Sequence, residues 1–183
     1  ISYSETELGE PSMKKKDIII RDIIALRGPN IWTYRPVFEA WIDIGEFEDF
    51  PSNKLPGFTQ RLTALLPSLV EHRCNYGERG GFLRRLDEGT WIGHTLEHVA
   101  LELMTLAGLP GGFGRTRETT ERGVYKLAIR NWQDDITHIA LEQGIALILA
   151  AVEDKPFDVA EVVNTLRRKV DRKYLGPSTA AIV

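Results

Sequence analysis

This sequence predicts an α+β fold, a small mixed or antiparallel sheet with helices packed against it. Isoleucine-rich and alternating stretches read as strands, and stretches with apolar residues three and four apart read as helices. The two kinds do not follow one another in the regular order of a parallel βαβ sheet. At 183 residues, 43% of them apolar, the chain suffices for one domain with its own core.

The elements follow in order. Residues 1–16 are polar and read as a disordered leader, with Met13 as a candidate natural start. Residues 17–26 are rich in isoleucine and read as a strand, ended by the turn signal Arg27-Gly28-Pro29-Asn30. Residues 37–44 read as its hairpin partner. Residues 47–56 hold two prolines and read as a loop. Residues 58–66 have helical spacing, and Pro67 permits a new helical start towards His72. A glycine-rich turn at 77–81 precedes a short helix at 82–86, broken near Gly89. Residues 91–106 give the clearest helix, stopped by Gly108 and Pro110. Residues 111–122 read as a loop, 124–129 as a strand, and 135–152 and 158–170 as helices. The domain is then 17–174, and 175–183 reads as a linker.

Composition narrows the function. A net charge of −3 argues against non-specific nucleic-acid binding, which needs a cationic surplus. No segment reads as long and apolar enough to span a membrane, and no basic-then-apolar signal peptide opens the chain. Cys74 is the one cysteine, so no internal disulfide forms; this fits a reducing cytoplasm, and the thiol reads as structural or incidental, with a nucleophile as the alternative.

Chemistry enters on the clearest helix. His94-Thr95-Leu96-Glu97-His98 matches the H-x-x-E-H pattern of inverted zinc peptidases. Residues four apart share a helix face, so His94 and His98 can bind one metal while Glu97 activates a water. Ile92, Leu96, Val99, Leu103 and Leu106 form an apolar stripe opposite the histidines, which should face solvent or a cleft, with Glu102 extending the polar side. The plainer alternative is a solvated helix face. The pattern names no third ligand; Glu142, Glu118 and Glu121 are candidates.

Glycine-arginine segments flank this helix: Gly77-Glu78-Arg79-Gly80-Gly81 on one side, Gly111 to Thr119 on the other. Glycines let backbone amides approach a ligand, and arginine forks grip carboxylates at two points, so Arg79, Arg115, Arg117 and Glu118 are candidate binding residues. No Gly-Lys-Ser/Thr follows, so neither is a P-loop. The alternative is two surface turns whose arginines pair with nearby glutamates.

Several stretches together resemble the N-terminal domain of cyanophycin synthetases. They are Leu26-Arg27-Gly28-Pro29-Asn30 with Trp32, Pro56-Gly57-Phe58, Leu66-Pro67-Ser68-Leu69 with Glu71-His72, and Arg79-Gly80-Gly81-Phe82. The strongest run covers Glu88-Gly89-Thr90-Trp91, Gly93-His94 and Glu97 to Leu103. Gly112 to Thr119, Gly123-Val124-Tyr125 and Leu175-Gly176-Pro177-Ser178-Thr179 follow in order. The resemblance implies a parent ligase that builds an aspartate–arginine polymer. That parent adds aspartate to the backbone and arginine to its side chain at two ATP-dependent centres, in an ATP-grasp and a Mur-ligase-like domain. ATP and Mg are then the parent's cofactors, with none in this fragment except zinc, if the histidines take it. The implied partner is cyanophycin polymer or a primer, with homo-oligomerisation through the parent enzyme. The implied role is holding polymer for the downstream centres; a zinc peptidase-like domain that cuts polymer and a structural oligomerisation domain are the alternatives. One departure stands out. Where such enzymes commonly end the strand after Gly123-Val124-Tyr125 with a glutamate, this chain has Arg130. If that glutamate completes a metal site, a cation there argues for weak zinc binding or none, and for little hydrolysis.

Overall fold

Alternation along β2 (Val37–Asp43) sets the two faces of the sheet. Phe38, Ala40 and Ile42 enter the core, and Glu39, Trp41 and Asp43 take the opposite face, as a period of two requires. This computed structural model describes residues 17–171 and 173–174; the expected leader at 1–16 and linker at 175–183 lie outside them. Among the described residues four strands form one sheet in the order β1-β2-β4-β3, with β1 spanning Ile19–Leu26, β3 Gly114–Glu118 and β4 Val124–Arg130. All three pairings are antiparallel, which selects one of the two sheet types the sequence allows.

The β1–β2 hairpin is the one expected. Its register shifts between Ile20 and Asp22, and Arg21 at that bulge pairs with Asp43 and Glu121. β3 corrects the sequence reading of residues 111–122 as a loop. Its sequence Gly-Arg-Thr-Arg-Glu has one residue of strong strand preference, and its pairing with β4 overrides that weak propensity. Residues 47–56, also read as loop, carry parts of two short 3-10 turns, Gly45–Asp49 and Ser52–Lys54. The start expected at Pro67 is a 3-10 turn, Pro67–Glu71.

Among the described residues there are five α-helices, α1 (Phe58–Leu65), α2 (Gly81–Glu88), α3 (Ile92–Leu106), α4 (Asp134–Glu153) and α5 (Val159–Lys169); α3 packs on β3 and β4, and α4 and α5 pack on α3. α3 is central. Ile92, Leu96, Val99 and Leu103 are fully buried, and burying each leucine contributes roughly 1.5–3 kcal/mol. α4 lies close against it because Gly144 has no side chain; a Cβ there would come within 2.9 Å of Leu96. Contrary to the sequence reading, the 20-residue α4 is long and apolar enough to cross a membrane, with a mean hydropathy of 1.4 over an 18-residue window. Half of that span is buried in the fold, the pattern of a core helix.

Candidate metal centre

The polar side of α3 forms the floor of a cleft of about 1270 Å³, walled by β3 and by residues 71–75. His94, Glu97, His98 and Glu102 all line it. The sequence places these residues away from the core, facing solvent or a cleft. They face the cleft, yet Glu97, His98 and Glu102 are buried. Residues 67–76 and α2 cover this side of α3. Phe82 of α2 stacks on His98 with ring centroids 3.9 Å apart and planes 20° from parallel.

Three donor atoms converge on the floor. The Nε2 atoms of His94 and His98 lie 3.2 Å apart, and Cys74 Sγ lies 3.5 Å from His94 Nε2. All three lie within 4.8 Å of one another. Tetrahedral zinc, with nitrogen at about 2.0–2.1 Å and sulfur at about 2.3 Å, holds nitrogens about 3.4 Å apart and a nitrogen and sulfur about 3.6 Å apart. The two edges from His94 Nε2 match these spans, and the third, between Cys74 and His98, is within 4.8 Å, so the donor types and two of the three edges suit zinc. Cys74 sits at φ 50°, in the left-handed region that a residue with a side chain seldom occupies. Such outliers cluster at functional sites.

Hydrogen bonds fix how the rings present themselves. Glu102 Oε2 lies 2.7 Å from His72 Nε2, and a carboxylate accepts, so that nitrogen carries the proton. His72 Nδ1, 2.8 Å from His98 Nδ1, is then the acceptor of a proton on His98. His98 Nε2 is left bare and aimed at the other donors. On His94, Nδ1 lies 2.9 Å from Thr90 Oγ1, and Thr90 is held by its backbone N–H donating to Ser52 Oγ at 2.9 Å. Such outer partners orient metal ligands and raise their basicity.

Electrostatics agrees. Burial, with the charge of Arg85 added, pushes His94 down to about 4. Burial, then the charges of His94 and His72, pushes His98 down to about 2. Both rings are therefore neutral near pH 7, the form that ligates. Burial pushes the Cys74 thiol up, which a bound cation would reverse. Burial pushes Glu102 up too, but hydrogen bonds from His72 and Ser68 outweigh it and leave the carboxyl below its ordinary value.

Glu97 stands beside this group on the β3 side. Its Oε2 accepts from Thr116 Oγ1 at 2.6 Å, and burial raises its pKa to about 7 against the opposing pull of Thr116, Arg115 and His72. A carboxyl poised near neutrality can both take and return a proton. It fits because position 114 is glycine: a Cβ there would lie 2.5 Å from Glu97 Oε1 and 2.7 Å from Leu101 Cδ1.

The other sequence candidates divide. Arg115, Arg117 and Glu118 line the cleft. Arg79 instead pairs with Glu71 at the surface, at 2.8 Å. None of the three glutamates named as third ligand joins the donor set. Glu142 pairs with His138, Glu121 pairs with Arg21, and Glu118 lines the cleft apart from the metal donors. Cys74, read from sequence as structural or incidental, supplies the third donor instead, and His72 was missed as its support. Arg130 does not line the cleft; its guanidinium lies over Trp132, 4.5 Å from the ring centroid. The cation expected to oppose a metal is therefore not among the residues that line the cleft.

Comparison with known proteins agrees over most of the chain. A family model described as the cyanophycin synthase-like N-terminal domain matches residues 39–153. The chain is 41% identical over 165 residues to a cyanophycin synthetase of Synechocystis sp., covering 87% of this chain and 19% of that protein. It is 40% identical over 163 residues to that of Geminocystis herdmanii and 41% over 169 residues to that of Nostoc sp., covering 86% and 90% of this chain. The chain therefore spans about one-fifth (19%) of the length of the relatives it matches.

Proposed function

The chain belongs to the family of cyanophycin synthase-like N-terminal domains, and from that premise we propose that its cleft binds aspartate–arginine polymer and hydrolyses an amide bond in it. One observation carries the reading: three candidate metal donors within 4.8 Å of one another share a cleft floor with a buried carboxyl whose pKa is near 7.

Cys74, His94 and His98 would hold a divalent metal, zinc by their sulfur and nitrogen character. A metal there supplies a Lewis acid and lowers the pKa of a water. Glu97 takes a proton from the attacking water as general base. As general acid it returns that proton to the departing amine, so water adds across the amide and leaves a carboxylate and an amine. At the cleft rim, Arg115 and Arg117, which leave β3 on the side away from Glu97, offer forks to polymer carboxylates, and Glu118 offers an acceptor to its guanidinium groups. In a full-length relative, a domain holding polymer this way would raise its local concentration at the ligase centres.

The test is direct. The protein is dialysed against zinc, its bound metal is counted, and it is incubated with polymer. One zinc per chain together with shortened polymer is expected. Polymer recovered at its original length, with zinc bound, would leave a binding domain without hydrolysis.

A further inference from the structure

We infer that the free edge of β3 takes the backbone of the polymer as an added strand, so that main-chain hydrogen bonds lay the scissile amide across Glu97. This deepens the polymer reading above and rests on it.

Among the described residues β3 ends the sheet order, so one of its edges faces no other described strand. The bonds to β4 show which groups that edge offers. Arg130 N donates to Phe113 O at 2.7 Å, and Thr119 N donates to Val124 O at 3.1 Å. In an antiparallel ladder, hydrogen-bonded pairs occur at every second residue. Positions 113, 115, 117 and 119 therefore bond to β4. The N–H and C=O groups of Gly114, Thr116 and Glu118 point the other way. Among the described residues none of these groups has a backbone partner outside the sheet.

These same three residues line the cleft. Thr116 touches Glu97 through its hydroxyl, and the missing side chain of Gly114 brings the edge against the Glu97 carboxyl. A strand added here lies about 4.8 Å out from β3. Side chains alternate along it, so every second unit shares a side with Arg115 and Arg117, which face away from the inner row of Gly114, Thr116 and Glu118. Same-side residues recur about every 6.8 Å on both strands. A polymer of identical units has no sequence to read, and backbone pairing holds it without needing one.

The experiment uses short aspartate–arginine oligomers and the full chain, with binding measured by calorimetry. Each backbone bond is worth a factor of about five to ten in affinity. Methylating every backbone nitrogen of the oligomer should weaken binding at least about thirtyfold. Methylating every second one should cost less than about threefold, because the oligomer can shift by one unit and turn its methyls away from the edge. On the protein side, Glu118→Pro removes one edge N–H while sparing the β4 ladder, and should bind at least about fivefold weaker than Glu118→Ala. Equal affinity for the fully and the alternately methylated oligomers would overturn the added strand and leave polymer binding standing. No binding of the unmodified oligomer would overturn both.

Discussion

α3 and α4 each carry an imidazole and a carboxylate on one helical face, and only one of the two sets is equipped for chemistry. On α4, His138 Nε2 and Glu142 Oε1 stand 3.4 Å apart with about half of each side chain in solvent, 49% and 56%. Water competes for both, and such a pair is worth little. On α3, His94 and His98 share a face in the same way, but residues 67–76 and α2 close over them and bring in Cys74 and His72. Helical spacing alone supplies a pair of groups. A second piece of chain must exclude water and add the missing donor before that pair becomes a site.

The sharpest way to break this contrast is His98→Ala against His138→Ala. The first should reduce both stoichiometric zinc and polymer cleavage to background, and the second should change neither; metal analysis and polymer sizing read both. Glu97→Gln comes next. It should retain zinc while cleavage falls about 10²–10⁴-fold, the contribution of a positioned acid–base group. The same variant probes the raised pKa in metal-free protein. A carboxyl whose folded pKa lies above its unfolded value destabilises the fold as it ionises. The cost is absent below the ordinary value of 4.5 and fully present above about 7. The Tm advantage of Glu97→Gln over the parent should therefore grow between pH 5 and pH 8, and an advantage constant with pH would contradict the burial argument.

A smaller effect separates the supporting carboxylates of the two helices. Glu102→Ala removes the acceptor that fixes the His72 and His98 tautomers and should lower zinc affinity about 10–100-fold in chelator competition. Glu142→Ala, at an exposed pair, should leave it unchanged. The smallest effect belongs to the cleft rim. Arg115→Ala and Arg117→Ala should each weaken polymer binding about two- to fivefold, and added salt should shrink the difference, because exposed charges are screened.

The sequence shows the parts of this site that lie on one helix. The four-residue spacing of His94 and His98 and the place of Glu97 between them follow from helical geometry alone. Cys74 and His72 do not, because they reach the cleft from residues 67–76, some twenty residues upstream, and sequence carries no measure of that approach. The burial of the histidines was equally hidden. An amphipathic count on α3 sees one packed face, whereas the chain supplies cover for two. Among the elements, β1, β2, β4 and the three longest helices announce themselves by apolar period. β3 does not, since arginine and threonine alternate there without an apolar residue, and the signal that could have found it is the alternation itself, opposite the strand read at 124–129.

The stacking of Phe82 on His98 has a spectroscopic use. Protons held over the face of an aromatic ring are shielded by its circulating electrons, so the carbon-bound protons of His98 should resonate apart from those of the other rings. The chain has four histidines, three at the cleft and one, His138, outside it. A proton spectrum of the imidazole region therefore carries its own control: on adding zinc, signals from His94, His98 and His72 should move while that of His138 stays, so each ring reports separately on occupancy without any label being attached.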